Sequence, residues 1–248
     1  IIDNLRDYFP ATMELAFVSF IFATVMGIPL GVISALKRNS WIDHIIRAVS
    51  LFGVSMPIFW LAIIMLIIFY YYLGIVPSSQ RIDLDMEIPK QITGFYLIDT
   101  VITGYWDGFF NSIYHLILPS FILGFSVVGL LARVTRASIL EVISQDYVRT
   151  ARSKGLQEKT VIGRHVMRNA LIPTVTILGL LVGGLLSGAV LTETIFAWPG
   201  VGRFAVQSIM LLDRLAVVDV TILIGVAFST ANMIVDIVVA FLDPRIRY

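Results

Sequence analysis

Long uncharged apolar runs, separated by shorter charged stretches, set the pattern of this chain. Five runs, roughly Leu15 to Leu36, Val49 to Tyr72, Ser112 to Leu131, Ala170 to Leu191 and Val220 to Leu242, contain no Asp, Glu, Lys or Arg except Asp236 in the last. A helix rises ~1.5 Å per residue, so about 18 such residues are needed to cross ~30 Å of hydrocarbon. All five runs are long enough. Barrel strands would alternate with period two, and these runs do not, so lipid-embedded backbone has to be satisfied within helices. The expected fold is an all-α polytopic membrane protein, one domain over residues 1–248, with five transmembrane helices in this sequence.

Composition agrees. The chain is 58% hydrophobic and 14% charged with a mean hydropathy of +0.89, too apolar for a soluble domain whose surface must be charged. Absence of cysteine excludes disulfides and thiolate metal sites.

Charge between the runs then orients the chain. The connection 37–47 carries Lys37, Arg38 and Arg47 against Asp43, and the connection 132–169 carries Arg133, Arg136, Arg149, Arg152, Lys154, Lys159, Arg164 and Arg168 against Glu141, Asp146 and Glu158. Both belong on the cytoplasmic side under the positive-inside bias. Residues 73–111 and 192–219 are poor in basic residues and face outside. The basic tail Asp243 to Tyr248 falls inside, giving an outside N-terminus and a cytoplasmic C-terminus. An odd number of spans and a start at Ile1-Ile2-Asp3 lead us to expect a missing N-terminal piece with at least one further membrane helix, six in the full chain.

The connection 132–169 is more than a polybasic stretch. Its apolar residues recur at helical spacing, Gly155 stands where one short helix ends, and Gln157 to Asn169 forms the next, a helix-turn-helix hairpin. Its apolar face can dock on the chain's own helix ends or on a cytosolic partner. Other features have plainer readings. The small-xxx-small pairs Gly27 and Gly31, Gly179 and Gly183, and Gly184 and Gly188 suit close helix packing. Asp236 sits near the cytoplasmic boundary and is a structural or gating carboxylate; Glu14 is interfacial. Pro29 and Pro57 can bend their helices, and Pro57 with Trp60 either packs, the plainer use, or lines a path between helices. The amphipathic segment 192–214 lies along the outer surface or dips into it. His44, His115 and His165 show no metal-ligand spacing, and the chain has neither a phosphate-binding Gly-x-x-x-x-Gly-Lys-Ser/Thr loop nor a Gly-x-Ser-x-Gly elbow.

Asp146-Tyr147-Val148-Arg149-Thr150-Ala151-Arg152-Ser153-Lys154-Gly155-Leu156, followed by Arg164-His165 and Arg168-Asn169-Ala170-Leu171-Ile172-Pro173, resembles the hairpin of the dipeptide/oligopeptide/nickel branch of binding-protein-dependent ABC importer permeases. Pro10 to Ala16, Gly27 to Gly31, Ser55 to Trp60, Leu73 to Pro77, Thr192 to Arg203 and Leu242 to Arg245 extend the resemblance over essentially the whole chain, and favour the first, B-type subunit. Arg149-Thr150-Ala151 keeps only the second Ala of the general importer opening Glu-Ala-Ala, a departure typical of the peptide branch.

The resemblance implies a type I ABC importer permease fold in a bacterial or archaeal cytoplasmic (inner) membrane, and a path for peptides shared with a C-type permease in a heterodimer. It also implies two ABC ATPase subunits that hold ATP and Mg, an extracytoplasmic substrate-binding protein, and membrane lipid around the helices. No enzyme activity, bound cofactor, metal or nucleic acid is expected of this chain. Tyr147, Arg149, Ala151, Arg152, Lys154, Gly155 and Leu156 become the ATPase-coupling surface. In it Ala151 and Gly155 permit close approach, Leu156 is an apolar knob, and Arg152 and Lys154 pair with partner carboxylates or contact anionic lipid. Pro57, Trp60 and Asp236 are candidates for path or gate. Nickel chelates, glutathione or other small solutes are alternative cargo. A secondary carrier or channel would show inverted repeats or several buried ionisable groups, and an intramembrane enzyme would need clustered reactive side chains.

Overall fold

Proline and glycine decide where the apolar runs become helices and where they stop. The computed structural model describes the backbone of residues 2–242, and the tail Asp243 to Tyr248 lies outside the described residues. Every regular element among them is helical: α1 (Ile2–Leu36), α2 (Trp41–Ser55), α3 (Ile58–Met65), α4 (Tyr96–Thr103), α5 (Trp106–Ile143), α6 (Asp146–Ser153), α7 (Glu158–Thr160), α8 (Met167–Ala170), α9 (Ile172–Ile195), α10 (Val201–Met210) and α11 (Arg214–Leu242). Wide π-helical turns extend α3 over Leu66–Tyr72 and join α7 to α8 over Val161–Val166.

Three helical stretches, Arg6–Leu36, Trp106–Ile143 and Arg214–Ile234, are long and apolar enough to cross a bilayer singly, and the number reaches five if each of two broken pairs is one span. The run 49–72 is therefore not the single helix expected. Pro57 lacks an N–H and disfavours helical geometry at Met56, so α2 ends at Ser55 and Pro57 is extended at φ −63°, ψ 131°. Its carbonyl then accepts the N–H groups of Trp60 and Leu61, both at 3.1 Å, to start α3. Pro173 sits differently, inside the first turn of α9, and without an N–H it leaves the helical ladder interrupted beside the break at Leu171 between α8 and α9. In the opposite sense, residues 132–143 are not a loop but the last three turns of α5. Leu131, Ala132, Thr135, Ser138, Ile139 and Val142 are buried at the helical period, while Arg133 and Arg136 lie off that stripe.

The chain forms two compact units, each built from separate stretches. The first comprises residues 1–22, 56–124 and 183–230. Its largest fully buried side chains are Phe196 and Trp198, 1% and 0% exposed. The Trp198 indole N–H donates to the Ala11 carbonyl at 2.9 Å. Glu193, at the end of α9, is wholly buried; it accepts the Thr12 hydroxyl at 2.6 Å and the Arg203 N–H at 3.0 Å, capping the start of α10 with a carboxylate. The segment 192–214 thus folds into the core at one end and leaves Ile209, Met210 and Leu211 exposed at the other.

The second unit comprises residues 23–55, 125–182 and 231–248. Gly27 and Gly31 of α1 press against Leu131 and Thr135 of α5: a Cβ on Gly31 would stand 2.6 Å from the Thr135 Cβ. Their spacing serves helix packing. Thr135 in turn shares a hydrogen bond of 3.1 Å with Thr174 of α9.

Candidate functional site

Gln145 is extended at φ −76°, ψ 151° and starts α6, with Asp146 in the first turn and Arg152 in the last, both placed to suit the helix dipole. Val148 and Ala151, three residues apart, fall on one face. That face joins Val161, Val166 and Ala170 in a buried cluster with Ala35 of α1 and Ile139 and Val142 of α5; Val32, Leu140, Ile143 and Met167 pack around it. The hairpin is therefore seated on the chain's own helix ends. Ala151 is 6% exposed, so its small side chain serves this internal packing, not an outward contact.

The opposite face is open. Tyr147, Arg149, Arg152, Lys154, Gly155 and Leu156 are all exposed. Tyr147 is held in place by its hydroxyl, which donates to the His165 carbonyl at 3.3 Å and accepts from the Asn169 amide at 2.8 Å. Gly155 has φ +75°, the left-handed region that suits glycine, and its N–H reaches the Arg152 carbonyl at 2.9 Å to close α6. Across this turn Arg152 binds Glu158 through two bonds, 2.7 Å from Nη2 and 3.2 Å from Nε. Arg152 thus already has a carboxylate within the chain, and its guanidinium holds the Glu158 carboxyl below its ordinary pKa. Both groups are solvated, so the pair fixes the geometry of the turn more than it stabilises the fold. Arg149 approaches Asp146 at 3.7 Å in open solvent.

The structure does not bring the remaining candidates into this site. Pro57 and Trp60 flank the α2–α3 break with exposed side chains; the side chain of Asp236 lies outside the described residues. Among the described residues no three His, Asp or Glu side chains converge as metal ligands.

Three buried carboxylates carry more structure than the sequence suggests. Glu14, expected at the interface, is 4% exposed. It binds Arg81 at 2.5 Å and accepts the Leu97 N–H at 2.8 Å, while the Arg81 guanidinium lies 3.6 Å from the centre of the Tyr96 ring. Asp99 is wholly buried in the connection 73–111. It accepts N–H groups from Ile92, Thr93 and Gly94 and the Thr93 hydroxyl, at 2.7–3.2 Å. Burial raises the pKa of Asp99, but these donors together outweigh it and hold the carboxyl below its usual range. In the second unit Asp43, 0% exposed, takes Arg136 in a two-pronged bond at 2.8 Å and 2.8 Å together with the Ser34 hydroxyl at 2.6 Å. Partners 93 residues apart leave no local sequence signal; an alternation of paired signs between helix ends is the most a single sequence offers.

This polytopic helical chain, with a basic hairpin seated on its helix ends, is by its relatives a permease subunit of an ABC transport system. It belongs to the family described as binding-protein-dependent transport system inner membrane component, which matches residues 27–248. It is 45% identical over 246 residues to the probable D,D-dipeptide transport system permease protein DdpB of Escherichia coli K12, covering 99% of this chain and 72% of that protein. It is 46% identical to the di/tripeptide transport system permease protein DppB of Pseudomonas aeruginosa, covering 97% and 71%. A more divergent relative, at 38% identity over 98% of this chain and 77% of the other, is the putrescine export system permease protein SapB of Escherichia coli K12. The fold is similar to a chain of the inward-facing MetNI methionine ABC transporter, with a TM-score of 0.68 at 16% identity, covering 94% and 93%. It is a multi-pass inner-membrane protein, and its architecture fits a complex of a second permease, ATPase subunits and a binding protein.

Proposed function

We propose that this chain is the B-type permease of a peptide importer, forming the translocation path as a heterodimer with a C-type permease. Two ATPases drive it and an extracytoplasmic receptor delivers the peptide. The observation that carries this reading is the two-faced hairpin: one face fixed to the chain's own helix ends, the other presenting Tyr147, Arg149, Lys154, Gly155 and Leu156 to solvent. An element held on one side and free on the other transmits a push from a partner. The ATPases close around ATP, the hairpin moves with them, and the membrane helices follow. Lys154 and Leu156 supply a charge and an apolar knob for the partner's cleft. Arg152 enters as a member of the Arg152–Glu158 pair, or exchanges Glu158 for a partner carboxylate. Peptide cargo is supported by the names of the two dipeptide-system relatives. The relative named for putrescine export favours a second reading, in which the same coupling serves another small solute.

Purification of the active transporter tests assembly: we expect one copy of this chain, one related permease, two ATPases and a receptor that binds peptide. An active complex holding only this permease with ATPase, or a receptor selective for a non-peptide solute, overturns the corresponding part of the reading.

Loop charge supports an outside N-terminus and a cytoplasmic C-terminus, and helix length and apolarity support five spans here, each broken pair counting as one. A reporter fused after Ser153 is expected in the cytoplasm and one near Asp85 outside. An Asp85 fusion found inside reverses the orientation and removes the hairpin from the ATPases.

A further inference from the structure

Side chains of both charge signs wall one cavity of the first unit, which the coupling hairpin does not touch. It measures about 320 Å³, and Arg81, Asp83, Tyr96 and Arg203 line it together with apolar Leu84 and Pro199. Small-molecule sites take roughly 300–1,000 Å³ and are built in this way, a few polar groups in an apolar wall. Arg81 is 4% exposed and its charge is met by Glu14, yet its buried Nε has no hydrogen-bond partner among the described residues. That donor lacks an acceptor. Arg203, in the first turn of α10, donates through Nη1 to the Ala197 carbonyl at 2.5 Å and has no ion-pair partner among the described residues. It brings the free positive charge.

Asp83 supplies the opposite sign. Its side chain is 46% exposed, and the Asn111 amide, with His115, holds its carboxyl below the usual range against the effect of burial. It is therefore ionised and still has lone pairs to offer. The backbone of the wall is itself unusual: Gln80 and Ala197, at φ 69° and 47°, are two of the four described non-glycine residues at positive φ, and both line the cavity. The Gln80 N–H donates to the Phe196 carbonyl at 2.9 Å, fastening the two strands of wall together. Strained backbone of this kind collects at ligand sites. A simple anion would satisfy the arginines and face Asp83 unmatched, whereas a diamine would face Arg203. Only a solute carrying one carboxylate and one ammonium meets both.

We propose that this cavity binds a short zwitterionic peptide, its carboxylate held by Arg203 and the Arg81 Nε and its ammonium by Asp83. The site rests on the peptide-import reading for its cargo, and its chemistry is tested separately from transport.

The intact complex of permeases and ATPases, freed of receptor, is titrated in detergent with alanyl-alanine, its C-terminal amide, its N-acetyl derivative, acetate and putrescine, with binding followed by saturation-transfer NMR and competition. Alanyl-alanine is expected to bind. The amide and the N-acetyl form should each bind at least about tenfold more weakly, the effect of losing one charge-assisted hydrogen bond, and neither acetate nor putrescine should compete. Arg203→Gln should weaken alanyl-alanine about tenfold and leave the amide unchanged, while Asp83→Asn should weaken alanyl-alanine and leave the N-acetyl form unchanged. Merely structural damage would weaken every ligand alike. No binding of alanyl-alanine, equal binding of the amide or the N-acetyl form, or competition by acetate or putrescine overturns the proposal. If the variants fail to assemble, the unmodified complex decides: a dipeptide with a diazirine side chain must label peptides containing residues 80–88 or 197–203, and labelling elsewhere only overturns it. A complex that passes these tests beside a receptor selective for another solute keeps the site and loses the peptide-import reading.

Discussion

Gly155→Val is expected to give a permease that inserts and accumulates normally but couples poorly, with weak ATPase binding and with receptor-stimulated hydrolysis and uptake falling together. At φ +75° a side chain with a Cβ costs about 1–2 kcal/mol, and a β-branched one fits that region worst. Space is not the obstacle, since no heavy atom lies within 4 Å of an added Cβ. The backbone itself must therefore change, which shifts Leu156 and the Arg152–Glu158 pair that spans the turn. Gly155→Ala should be milder. A replacement at Gly124, where a Cβ would stand 2.9 Å from Phe22, reports general disturbance of the bundle. Normal insertion with full transport and full ATPase stimulation in Gly155→Val would remove the hairpin from its proposed coupling role.

Arg81→Met should destabilise the first unit by about 3–5 kcal/mol, the usual cost of leaving one member of a buried ion pair alone. Both side chains of the pair are 4% exposed, and Glu14 would retain only the Leu97 N–H. Arg81 also donates to the Gly94 carbonyl at 3.2 Å, so the connection 91–99 should exchange its amide hydrogens faster. The double variant Glu14→Gln, Arg81→Met leaves no unpaired charge and should recover much of the loss. Thermal unfolding in detergent and hydrogen exchange measure both effects. A single variant as stable as the parent would show that the pair is not a buried support.

Runs of uncharged residues made the membrane class legible, because the energetic demand of hydrocarbon is written in composition. Their straightness was not legible. Pro57 signals a bend, but a uniformly apolar run gives no period from which to separate α2 from α3. The end of α5 was obscured differently, since Arg133 and Arg136 give 132–143 the composition of a loop while Thr135, Ser138, Ile139 and Val142 preserve the period of a helix. In the hairpin, Gly155 announced the turn. That Ala151 faces inward could have been read from its spacing to Val148. The bridge from Arg152 to Glu158 could not, since it joins two elements whose relative placement depends on the turn. Glu14 with Arg81, 67 residues apart, is a product of tertiary folding alone.

Within the chain itself, positive φ combined with open space means that position 155 discriminates by handedness. An L-residue meets such an angle only at a cost, as Asn39 at φ 63° and Ala197 at φ 47° do elsewhere in the chain, whereas a D-alanine introduced by chemical synthesis would meet it with its own preference. Within this chain, glycine stands here for its achirality.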